Sequence, residues 1–168
     1  MSPHNTSSTR PQTNYSLLSI PLTYALAFPP YLYQFGRGMT ASSYAATNVL
    51  PRTNLEFLRD KIPEGTWQSL VRARGAHLNA LEGFPLFAGA MLAGNYAKLS
   101  TSDLNFAAAE YIGARIVYTA LYMTTQSEAV SYLRTGAYTW SLAAPLWILW
   151  KAGVKIRDQD AKGDEKAL

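Results

Sequence analysis

The longer stretches of this chain that carry no Asp, Glu, Lys or Arg include Pro11 to Gly36, Gly83 to Ala97, Ile116 to Ser127 and Thr135 to Trp150. Such runs constrain a fold strongly, because a helix without charge must bury most of its circumference in protein or lipid. A spanning helix needs about 20 mostly apolar residues, and the first run alone reaches that length. The other three reach it by extending into polar neighbours, the second from near Trp67, the third from near Leu104 and the fourth from near Val130. The expectation is an all-α chain, an integral membrane four-helix bundle. Charged residues make up 15% of the chain, against about 25% in an average soluble domain. A mean hydropathy of -0.07 points the other way, but the charges lie between the runs, and the polar first dozen residues and the tail lower the mean. A soluble amphipathic bundle is the alternative. Its helices would show an outer face with several charges every two turns, and Ile116 to Tyr122 shows none.

The extensions carry ionisable groups into apolar surroundings. Arg72, Asn79 and Glu82 recur at the helical period and form one stripe. Tyr111, Arg115, Tyr118 and Tyr122, spaced four, three and four apart, form a second, and Arg134 with Tyr138 repeats the pattern on the fourth helix. Charges at such depth are costly unless paired or used, so the stripes read as a polar site, with Glu82 and Arg115 expected to form a buried ion pair. A polar network that only fixes helix packing is the other use of such groups. The absence of cysteine excludes a disulfide framework, thiolate metal sites and a cysteine nucleophile. A formal charge of +4, without a basic stripe interleaved with aromatics, gives no nucleic-acid partner.

Three segments follow from these patterns: a disordered polar amino terminus over residues 1–14, the helical domain over 15–151 and a charged tail over 152–168. The first helix is expected from Ser16 to Phe35, interrupted by Pro21, Pro29 and Pro30. Gly36 to Thr66 reads as the longest connection, with a short helix near Leu55 to Lys61. Ser102 or Asp103 is placed to cap the third helix. Asn5 and Asn14 both stand in glycosylation sequons.

The run Arg72 to Phe87, with Arg, Asn and Glu spaced seven and three and a Phe-Pro-Leu-Phe ending, followed by Ala114-Arg115-Ile116-Val117-Tyr118 and Tyr122, resembles the MAPEG family, the membrane-associated proteins in eicosanoid and glutathione metabolism. The resemblance covers roughly Ser16 to Trp150. It implies a homotrimer in the endoplasmic reticulum membrane, multi-pass, with glutathione as cofactor between subunits near the cytosolic face. Asn79 and Glu82 match the family's glutathione-contacting pair, Arg115 the arginine that supports the Glu, and Tyr118 and Tyr122 positions that contact the tripeptide. Arg134 and Tyr138 resemble the fourth helix's Arg and Tyr, and Arg72 an Arg common just before the motif. Arg37 is the local candidate for the arginine that activates the thiol in several members. The catalytic set implied is Arg37, Glu82, Tyr118 and Arg134. Arg72, Arg74, His77, Asn79, Glu82, Arg115, Tyr118, Tyr122, Arg134 and Tyr138 form the cofactor-binding set, and no metal is implied. Two departures touch that pocket. Gly75 stands where the glutathione-binding members carry an Arg, with Arg74 turned about 100° away, and Gly83 stands where some carry a Tyr.

The function implied is a membrane-embedded glutathione-dependent transferase or isomerase acting on a lipophilic small-molecule electrophile from the bilayer. The alternatives are a glutathione-independent acid–base isomerase or cyclase of a lipophilic metabolite, and a non-catalytic lipid-binding membrane scaffold.

Overall fold

A computed structural model describes residues 12–165 apart from 44 and 48. The polar segment 1–11 and the Asn5 sequon lie outside the described residues. Helix α1 (Ser16–Ala25) opens the chain and α2 (Phe28–Ala41) follows. The short α3 (Asn54–Leu58) precedes three long helices, α4 (Glu64–Tyr96), α5 (Thr101–Thr124) and α6 (Glu128–Glu165). Helices α4, α5 and α6 pack on one another, and α1 and α2 lie along α4. The four expected helices are thus present, the first in two pieces. Among the described residues, no helix is long and apolar enough to cross a membrane. The 33 residues of α4 reach about 50 Å at 1.5 Å each; polar groups, not shortness, interrupt its apolar character.

The break between α1 and α2 follows from Pro29 and Pro30, which bring no N–H and leave the carbonyls of Ala25 and Leu26 without their helical donors. Beyond the break, α2 continues through Arg37 to Ala41, so the connection starts later than the charge pattern implies. That connection is also not a plain loop. Ala46, Leu55, Leu58, Ile62 and Leu70 form a small core of their own, with Trp67 against it. The indole N–H of Trp67 donates to the Leu55 carbonyl at 2.9 Å, and Asn54 exchanges hydrogen bonds with the Thr47 backbone at 2.7 and 3.1 Å.

The turn from α4 to α5 is tight. Lys98 takes a left-handed conformation (φ 52), its N–H bonds to Asn95 O, and Leu99 N–H bonds to Gly94 O at 2.9 Å, which satisfies the last carbonyls of α4. Ser100, not Ser102 or Asp103, caps α5: its hydroxyl accepts from the Asp103 N–H. Asp103, three residues into the cap, bonds instead to Lys151 of α6 at 2.7 Å. The amino-terminal strand of chain is pinned to this same end. Asn14 donates to Asn95 at 2.8 Å and Asn105 donates to the Thr13 carbonyl at 2.8 Å, so residues 12–14 are held against the bundle rather than detached from it. The tail continues α6 as helix to Glu165.

The pattern of burial inverts that of a water-soluble bundle. On α1, Ser16, Ser19 and Thr23 face inward, while Leu17, Leu18 and Leu22 face out. Alanines and Gly94 line much of the inner faces of α4 and α5, while Leu92, Phe106 and Ile116 are exposed. Small inner residues let the helices approach closely. The main core joins Phe87, Met91, Leu104, Tyr111 and Ile148, with Phe87 and Tyr111 stacked at 4.4 Å.

Candidate active site

Helical geometry sorts the polar residues of α4 onto two flanks. Arg72, Gly75, Asn79 and Gly83 look toward α5 and α6, whereas Arg74, His77, Leu78 and Leu81 look toward α2 and the connection. The candidate residues therefore do not line a single pocket: some line one of two pockets, and Arg37, Arg72, Glu82 and Arg115 line neither.

The first pocket, about 300 Å³, is lined by Asn79, Tyr118, Tyr122, Arg134, Thr135 and Tyr138. Its floor is aromatic and cationic. The Arg134 guanidinium lies 4.6 Å over the Tyr122 ring and that of Arg115 lies 4.7 Å over Tyr118. Tyr118 in turn meets Tyr122 at 5.6 Å and Tyr138 at 5.7 Å. Stacking on these rings fixes the guanidinium planes. Arg72 donates to the Met123 carbonyl at 3.2 Å, which ties α4 to the end of α5.

The expected ion pair of Glu82 and Arg115 does not form within the protomer. Arg115 is buried and donates to the main-chain carbonyl of Asn79 at 2.6 Å. Glu82 is exposed. At Gly83 the missing side chain leaves a notch in α4 that the Tyr111 hydroxyl occupies, 2.9 Å from where a β-carbon would stand, while the Arg115 guanidinium carbon lies at an ordinary contact distance of 3.7 Å. Arg115 reaches α4 on the side of residues 79 and 83, and Glu82 projects about 100° away from Gly83. The Asn79 amide is also spent locally, donating to Gly75 O at 2.9 Å.

Gly75 plays the matching role one pocket wall away. A β-carbon at this position would lie 2.5 Å from the Tyr122 hydroxyl oxygen, so the Tyr122 ring occupies the volume of any side chain at 75.

The second pocket, about 450 Å³, is lined by Tyr31, Gln34, Pro51, Arg52, Arg74, His77, Leu78 and Leu81. Arg74 donates to the Arg52 carbonyl at 3.2 Å. His77 Nδ1 lies 2.8 Å from Ala27 O, at the break between α1 and α2. A carbonyl can only accept, so Nδ1 carries the proton. Arg37 is exposed on α2 and lines neither pocket. Thr135 in the first pocket and Tyr31, Gln34 and Arg52 in the second are missing from the sequence-derived set. Thr135 follows Arg134 directly, but the others stand on separate elements with no shared spacing.

A family model described as the MAPEG family matches residues 14–154. This chain belongs to the MAPEG family. Neither a curated protein nor a solved structure matches it. The match begins at Asn14 and ends within α6, so every element lining the two pockets belongs to the MAPEG region. The helical architecture of the described residues is consistent with this membrane-associated family.

Proposed function

We propose that this MAPEG protein is a multi-pass enzyme of the endoplasmic reticulum membrane, assembled as a homotrimer, that uses glutathione to transform a lipophilic electrophile. The observation that carries the reading is the first pocket, in which Arg134 and three phenols converge. Membrane embedding is supported by family membership together with the outward leucines of α1 and the small inner residues of the long helices. The trimer is supported by the division of polar residues between two flanks of α4: a cyclic assembly brings unlike surfaces of neighbouring subunits together, and the exposed Glu82 and Arg37 then have a facing subunit to meet.

The residues present fit glutathione in charge. Arg134 and Arg72 would receive its carboxylates, with Glu82 for its amino group, and Tyr118, Tyr122, Tyr138, Asn79 and Arg115 would complete the wall. Arg74 and His77 belong to the second flank and would reach it only across a subunit boundary. When bound, glutathione supplies the thiol that this cysteine-free chain lacks. A guanidinium and phenolic O–H donors favour a thiolate over a thiol, which is the work assigned to Arg134 and Tyr118, and to Arg37 of a neighbouring subunit. The arrangement of Tyr122 over Gly75 favours a second reading, in which the same phenols and Arg134 act as acid and base on a lipophilic metabolite without glutathione, because the place of a carboxylate-binding side chain at 75 is taken.

Titration calorimetry of the detergent-solubilised protein with glutathione tests the choice. Binding in the millimolar range or tighter, weakened about tenfold by Arg134→Ala, as expected for loss of a charged hydrogen bond, supports the first reading. No heat of binding up to about ten millimolar glutathione, several decades weaker than a typical cofactor site, overturns it in favour of the second.

A further inference from the structure

Both carboxylate oxygens of Glu110 are buried and have no hydrogen-bond partner. A carboxylate in that condition forfeits its water without compensation, a cost native structures seldom leave unexplained. Glu110 stands seven residues into α5 from Asp103, about 10 Å along the helix. Five residues before Arg115, it points to another flank, away from both pockets of the candidate active site.

On that flank Glu110 lines a groove of about 390 Å³ between α5 and α6, with Phe106, Trp140, Ala143, Ala144 and Trp147. Residues 140, 143, 144 and 147 share one face of α6, and 106 and 110 one face of α5, so the two indoles and the Phe ring bracket a single acidic group. Aromatic faces around a carboxylate are the chemistry that recognises organic cations, including quaternary ammonium. One ring already does this: the Lys151 ammonium lies 4.6 Å over Trp147. Lys151 itself is committed to Asp103.

Among the described residues no basic side chain pairs with Glu110. At the depth of Glu110 the neighbouring segments, Gly83 to Ala97 of α4 and Thr135 to Trp150 of α6, have no charge at all, nor does α1. Arg115 is engaged by Asn79 O and the Tyr118 ring. A second copy related by an axis along the helices presents the same uncharged depth. We propose that this groove binds a lipophilic organic cation, an amine or quaternary ammonium on an apolar tail. Its charge sits at Glu110 between Trp140 and Trp147, and its tail lies along the exposed Phe106. Rotation about the terminal bonds of Glu110 turns an oxygen toward the charge. The site is separate from the glutathione pocket and does not depend on it.

The test uses the full chain in a nonionic detergent and two spin-labelled probes with one dodecyl tail, ending in trimethylammonium or in hydroxyl. Tryptophan quenching is followed against probe mole fraction. The expected result is saturable quenching by the ammonium probe at tenfold or more lower mole fraction than by the hydroxyl probe. Glu110→Gln, close to Glu in shape, removes that preference, and Trp140→Leu reduces the quenched amplitude. Equal quenching by both probes in the wild type overturns the proposal even if Glu110→Gln fails to fold. An unchanged preference in Glu110→Gln overturns it too, as does protection of Trp140 and Trp147 from both probes, the sign of a second copy seated on the groove.

Discussion

The Tyr122 hydroxyl oxygen stands 2.5 Å from where a β-carbon on Gly75 would be, and the ring it belongs to carries the Arg134 guanidinium on its face at 4.6 Å. Helix α4 thus gives up a side chain so that an aromatic ring of α5 can lie against its backbone and hold an arginine of α6.

Gly75→Ala is expected to force the Tyr122 ring aside and to loosen Arg134. Overpacking of this kind costs about 1–3 kcal/mol. Thermal unfolding in detergent checks it, and Tyr122→Ala in the Gly75→Ala background should recover part of the loss. Equal stability of Gly75→Ala and wild type would mean that the ring moves freely.

Arg115→Met is expected to destabilise the fold by about 1.5–3 kcal/mol, the range for a hydrogen bond from a charged donor, because the buried guanidinium bridges α5 to the Asn79 carbonyl. Glu82 is not its partner. In a double-mutant cycle with Glu82→Gln, the coupling should stay below about 0.5 kcal/mol, as for independent sites. A coupling several times larger would restore the ion pair.

His77→Phe should cost about 0.5–1.5 kcal/mol, the net contribution of one hydrogen bond, since the imidazole donates to Ala27 O at the break between α1 and α2. Hydrogen exchange at residues 25–31 should rise in this variant more than at residues in α5. A uniform change would argue against a local clamp.

Asp103 provides the pH dependence. The Lys151 ammonium bonded to it, and next the Ser100 hydroxyl, hold its carboxyl below the ordinary carboxylate value. A carboxylate stabilised in the folded state contributes its full increment above its unfolded pKa, and the increment is lost as pH falls through the lower, folded value. Both side chains are partly exposed, so the increment stays within about 1 kcal/mol. Unfolding midpoints of Asp103→Asn should therefore lie slightly below wild type at neutral pH and converge with it under strongly acidic conditions. A gap that widens on acidification would contradict the assignment.

The sequence by itself determined the helices and the MAPEG family. Charge-free runs and the periodic stripes of Arg72 to Glu82 and Tyr111 to Tyr122 are local properties, and a helix keeps residues four apart on one face whatever packs against it. The tertiary structure decided who meets whom. Spacing puts residues 74 and 77 on a different flank from 72 and 79, but it could not tell what that flank meets, or that residues 36–66 build a small core bringing Arg52 under Arg74. Nor could it tell that Arg115 reaches the Asn79 carbonyl on the α4 backbone while Glu82 stays exposed. Two opposite charges on facing helices suggest a pair by Coulomb attraction alone. Which of them reaches the interface depends on how α4 is turned against α5, and only packing sets that.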